Sequence, residues 1–106
     1  MVNNDVDEHL VRELILYYKN SRVLYQISQF WEKNYSRKIK SGRYGRNLAV
    51  KGIAENFVPR IITHYNKSVT KLPNINRATK YAMAELWIRE FEYENKITTK
   101  EYNETK

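Results

Sequence analysis

The sequence predicts an all-α domain, a compact bundle of four to five helices. Three observations predict it. Apolar residues recur at intervals of three and four through most of the chain. No segment shows the period-two alternation of a half-buried strand. Asp, Ser and Asn, the residues that best cap helix starts, stand just ahead of the apolar stripes.

The first stripe is Val6, Leu10, Leu14 and Tyr17 or Tyr18, which predicts a helix over Asp5–Lys19. Asn4 or Asp5 can cap it. Asp7 and Glu8 in its first turn and Lys19 in its last suit the helix dipole. Asn20-Ser21 breaks the pattern and supplies a second cap at Ser21. The next stripe is Leu24, Ile27, Trp31 and Tyr35, widened by Val23, Phe30 and Ile39, over a helix from Arg22 to Lys38 or Lys40. The short break makes these two helices antiparallel neighbours.

Ser41-Gly42-Arg43-Tyr44-Gly45-Arg46 holds two of the three glycines in the chain and reads as a loop. Asn47 can cap a third helix over Leu48–Phe57, carrying Val50, Ile53, Ala54 and Phe57, with Gly52 as a weak point. Pro59 cannot donate a backbone hydrogen bond and disfavours helical geometry at Val58. It suits the first turn of a fourth helix, Pro59–Ser68, with Ile61, Ile62 and Tyr65. A single kinked helix is the alternative. After the connector Lys71-Leu72-Pro73-Asn74, a cap at Asn74 or Asn76 opens the last helix, to about Glu94. Its broad face is Ala78, Tyr81, Ala82, Leu86, Ile88 and Phe91, with Trp87 beside them. Residues 1–96 form one domain, and Ile97–Lys106 read as a polar, frayed tail.

At 106 residues the chain can bury a modest core without cross-links. It has no Cys, which excludes disulfides, thiolate metal sites and thiol catalysis. The acidic, polar start MVNNDVDEH is no signal peptide. The longest apolar run, Leu14 to Tyr18, is far short of a membrane span. A soluble cytoplasmic protein without membrane association is expected. Abundant Asn, Lys, Ile and Tyr beside scarce Ala and Gly suit an AT-rich genome, such as that of a phage or plasmid.

Charge is the informative feature. Between Lys33 and Ala84 stand twelve basic residues and one acid, Glu55, a balance of +11. Each end carries a slight acidic excess. Crowded like charges repel, so the segregation points to a polyanionic partner. The densest run is Lys33, Arg37, Lys38, Lys40, Arg43, Arg46 and Lys51, interleaved with Tyr35 and Tyr44. Lys and Arg neutralise phosphates and release counterions. Tyr hydrogen-bonds phosphate or stacks on an unpaired base. A loop with Gly42 and Gly45 would let backbone amides approach a phosphate. Arg60, His64 and Lys67, with Lys71, Arg77 and Lys80, form a second basic group that could extend the surface. The competing reading of both groups is solvated helix surface.

Leu48–Ser68 fits a helix-turn-helix poorly. Val58 stands where the turn wants Gly, and His64 where the recognition helix wants an apolar residue. His9 and His64 are the only histidines, too few for a standard zinc site, and no cofactor is implied. Asp5, Asp7, Glu8 and His9 read as helix capping. Metal-dependent phosphodiester cleavage needs converging carboxylates, and the basic region offers only Glu55. No phosphate-loop or nucleophile-elbow motif occurs. The expectation is a non-enzymatic nucleic-acid-binding protein, duplex DNA favoured over RNA, acting as a regulator or accessory factor. The rival is a helical module gripping an acidic protein partner. The first and last helices are expected to pack together through Leu10, Leu14, Leu86 and Phe91, within one chain or across a homodimer.

Overall fold

In a computed structural model, residues 5–97 are described, and they are all-α. Helix α1 is Glu8–Asn20 and α2 is Arg22–Lys40. Helix α3 is Arg46–Gly52, followed by a π-helical stretch Ile53–Phe57 and by α4, Val58–Ser68. Helix α5 is Arg77–Asn95.

The caps explain the boundaries. Asp7, rather than Asn4 or Asp5, opens α1, accepting from Leu10 N–H at 3.1 Å. Ser21 ends α1 and caps α2 through Leu24 N–H. Asn76 opens α5 through Thr79 N–H at 2.8 Å. Gly45, rather than Asn47, precedes the first residue of α3.

Helix α2 ends in a Schellman motif. Gly42 is left-handed (φ 76°), its N–H bonds Ile39 O, and Arg43 N–H bonds Lys38 O. Helix α5 ends the same way on Lys96, which holds φ 53° without the freedom of a glycine. There Ile97 N–H bonds Glu92 O, and its side chain is buried. Ile97 thus belongs to the helical body and not to a tail. The rest of that expected tail, 98–106, lies outside the described residues.

The expected break at Val58-Pro59 does not occur. Gly52, Phe57 and Val58 all have right-handed helical dihedrals, so α3, the π stretch and α4 form one continuous rod. This removes the helix-turn-helix reading of Leu48–Ser68. Pro59 has no N–H and its ring crowds the carbonyl four residues back. The wider π turn, in which Val58 N–H reaches Ile53 O, accommodates it. The apolar pattern asks for the same thing. Ala49, Ile53, Phe57, Ile61 and Tyr65 are all buried, at strict intervals of four. A regular helix of 3.6 residues per turn would let such a stripe drift by about 160° over four steps. One extra residue in the π turn takes back about 100° of it.

Helix α2 follows α1 after the single residue Ser21 and packs on it, and α1 also packs on α4 and α5. Asp7 N–H bonds Thr79 Oγ1 at 3.0 Å and Lys19 Nζ bonds Glu90 at 2.6 Å, so α1 and α5 run parallel within one chain. The core is Val11, Leu14 and Tyr18 on α1, Leu24, Tyr35 and Ile39 on α2, the rod's stripe, and Met83, Ala84, Trp87, Ile88 and Phe91 on α5. Buried Ser28 accepts from Trp87 Nε1 at 2.8 Å and gives that indole its partner.

Several expected core residues lie outside. Leu86 is 41% exposed and Val6 precedes α1 on the surface. Thr79, Met83 and Ala84 take their place, because α5 presents a face rotated from the expected one. Phe30 and Val23 are 63% and 56% exposed, and Trp31 is half-buried.

Candidate nucleic-acid interface

Helix α2 buries Leu24, Ser28, Tyr35 and Ile39. At 100° per residue these positions share one face, and the opposite face is fixed by the same periodicity. Opposite the core stand Arg22, Gln26, Phe30, Lys33, Arg37 and Lys40, flanked by Gln29, all exposed. Four cations, two amides and one apolar ring share this face, and the carboxylate of Glu32 borders it beside Lys33. The one acid of α2, Glu32, lies to the side and half-buried. Its carboxyl is raised above the ordinary value by burial, then by the negative charges of Glu94 and Glu90. Arg37, Lys38 and Lys40 occupy the last turn, where positive charge also favours the helix dipole.

Arg43, just past the end of α2, and Lys51, on α3, are also exposed. Lys33, Arg37, Lys40, Arg43 and Lys51 have no ion-pair partner among the described residues. Lys38 Nζ sits 5.1 Å from the centroid of the Tyr44 ring, a cation–π contact. Tyr44 is half-buried and stacks on Tyr35 at 5.3 Å, and Tyr35 stacks on Trp31 at 5.5 Å. The ring of Tyr44 is therefore occupied as packing for the α2–α3 loop. The amides of Gly42 and Arg43 are spent on the Schellman motif, so they do not form the expected phosphate cradle.

Arg46 differs from its neighbours. Its guanidinium bonds Glu92 at 2.6 Å through Nε and Glu85 through Nη2, which ties the start of α3 to α5. The Arg46 hydrogen bond holds the Glu85 carboxyl below its ordinary value, against the opposing effect of burial. Two carboxylates neutralise this guanidinium, and it leaves the set of uncompensated cations.

The second basic group sits elsewhere. Arg60, His64 and Lys67 line a cleft of about 370 Å³ between α4 and the first half of α2, with Val23, Leu24, Ile27 and Pro59 as its apolar floor. The nearer wall of α2, around Val23, is ten residues from Lys33, about 15 Å of helix, and faces another direction. His64 Nδ1 and the Tyr17 hydroxyl are hydrogen-bonded at 2.6 Å, so the ring is held against α1. Lys71 lies in the connector, and Arg77 packs on Tyr81 with its guanidinium 5.1 Å from the ring centroid.

Sequence reasoning missed Arg22, Gln26, Gln29 and Phe30, because it followed the linear run of charge. The helical phase of α2, extended back from Lys33, would have found them. Among the described residues no three His, Cys, Asp or Glu side chains converge as for a metal ion, and no helix is long and apolar enough to cross a membrane. Comparisons with protein-family profiles, curated proteins and solved structures find nothing that matches this chain.

Proposed function

We propose that this is a non-enzymatic nucleic-acid-binding protein that meets duplex DNA with the outer face of α2, helped by the exposed cations Arg43 and Lys51. One observation carries the reading: the face of α2 opposite the core holds Arg22, Lys33, Arg37 and Lys40, and the carboxylate that borders it, Glu32, is half-buried. A solvated helix face ordinarily mixes both signs, and this one does not. The four cations need counterions, and a phosphate backbone supplies them with a favourable release of bound salt.

The test is affinity for mixed-sequence duplex across a salt series. With about five phosphates neutralised, log K should fall against log salt with a slope of about −4 to −5. Lys33→Ala should reduce that slope by about one, with no change in helicity. A flat salt dependence, or no binding at low salt, refutes the reading.

The cleft between α2 and α4 favours a second reading. Its apolar floor and the cations Arg60 and Lys67 suit an acidic, amphipathic protein segment. Under that reading, Arg60→Glu abolishes partner binding while charge reversal at Lys33 does not.

A further inference from the structure

We propose that α2 enters the major groove and reads A·T base pairs through Gln26, Gln29 and Phe30. The inference rests on the nucleic-acid reading above and extends it to base preference. The order of chemistry along the helix supports it. After Arg22 the first half of the outer face holds the uncharged Gln26, Gln29 and Phe30, and the second half holds Lys33, Arg37 and Lys40. A helix laid in a groove meets phosphates at the rims and base edges at the floor. An α-helix is about 10–12 Å across, and the major groove is about 12 Å wide.

The central residues have the chemistry of direct readout. A glutamine amide can bond adenine through N6 and N7 together, and an aromatic ring can pack on the thymine methyl. Gln26 and Gln29 make no hydrogen bond among the described residues, so both amides are uncommitted. They are offset along the axis by about 4.5 Å, close to the ~3.4 Å step between base pairs. Phe30 is one turn from Gln26 and 63% exposed. Its contact with Trp31, edge-to-face at 5.7 Å, holds the ring without burying it. Such an apolar ring on a cationic face has no role in the core. Glu32 borders the same shallow depression as Gln26, Gln29, Phe30 and Lys33, and its carboxyl, half-buried and raised, is a weaker acceptor for a cytosine amino group than the two amides are for adenine.

The experiment compares short duplexes of alternating A·T, alternating G·C, and alternating A·T with deoxyuridine in place of thymidine, by fluorescence anisotropy. The wild-type protein should favour A·T over G·C about five- to hundredfold. Loss of the thymine methyl should weaken wild-type binding about fourfold, the value of one buried methyl. Phe30→Ala should bind the thymidine and deoxyuridine duplexes alike. Gln26→Ala with Gln29→Ala should bring A·T affinity down to the G·C level, while Lys33→Ala weakens both equally. Equal binding of the two duplexes, a G·C preference through Lys33 or Arg37, or a wild-type affinity indifferent to the methyl overturns the inference and leaves the nucleic-acid reading standing. Tighter binding to single strands that Phe30→Ala removes also overturns it, making the ring a stacking platform. No binding to any duplex removes both.

Discussion

Gly52→Ala sets two known effects against each other. In an exposed helix interior the change stabilises by about 0.8–1 kcal/mol, because alanine is the better helix former. Here a Cβ on residue 52 would overlap the Tyr35 hydroxyl and come within 3.2 Å of Tyr35 Cζ and 3.5 Å of the Tyr44 hydroxyl. Tyr35 has little room to retreat. It is 2% exposed, stacked between Trp31 and Tyr44, and has its edge against Trp87. Overpacking of this kind costs about 1–3 kcal/mol. The net result should be a loss of up to about 2 kcal/mol, or a Tm lower by about 4–8 °C for each kcal/mol. The overlap is with the hydroxyl, so Tyr35→Phe should relieve it. Gly52→Ala in a Tyr35→Phe background should recover most of the loss, a coupling of about 1–2 kcal/mol in a double-mutant cycle. Urea unfolding followed by circular dichroism measures all four corners. A single Gly52→Ala variant more stable than wild type by the full propensity gain would refute the claim that Gly52 exists to admit Tyr35.

Other perturbations follow from the same contacts. Arg46→Met should destabilise by about 1–2 kcal/mol near neutral pH, more than a surface pair and less than a buried one. The Glu85 carboxyl is held low in the fold, so the contribution of this pair is complete above the ordinary glutamate value of 4.5 and fades as pH falls through the lower folded value. Wild-type and Arg46→Met melting curves should therefore converge in acid. Glu32 has the opposite sign: its carboxyl is raised, so its charge opposes folding as pH rises through the folded value. Glu32→Gln should raise Tm at pH 7, and the gain should vanish below the ordinary value, as a pH series of melts would show. Lys96→Gly should stabilise by about 0.5–1 kcal/mol in chemical denaturation, since Lys96 holds a left-handed conformation that glycine adopts without strain.

The fold was legible where local chemistry decides it. Ser21 and Gly42 delimit α2 by capping, and both boundaries can be read from residue type alone. Side-chain placement was less legible when two faces of a helix were both apolar. Val23 and Phe30 extend the α2 stripe on paper, yet the core takes Ser28 instead, because Trp87 needs a hydrogen-bond acceptor there. On α5 the threonine and small residues at Thr79 and Ala84 go inside, and Leu86 stays out. The basic surface was legible as a run of charge and not as a face. Nothing local distinguishes Arg46 from Arg43. What separates them is a pair of carboxylates 39 and 46 residues away, brought in by the packing of α3 on α5. The π turn had a visible trace in the strict spacing of four from Ala49 to Tyr65, and Pro59 drew attention to a break that the rod does not make.

The π turn also constrains how this chain can change in length. Removing one residue between Ile53 and Phe57 would leave an uninterrupted α-helix, locally more regular than the original. The price would appear downstream, where everything after the lesion turns by about 100° about the rod axis. Ile61 and Tyr65 would swing out of the core, and their neighbours around the helix would be driven toward it. The cleft along α2 would lose Arg60 and Lys67 from its rim. A deletion there is silent for secondary structure and disruptive for tertiary structure. The extra residue in the rod therefore acts as a phase setting that keeps one helix in register with two different sets of neighbours.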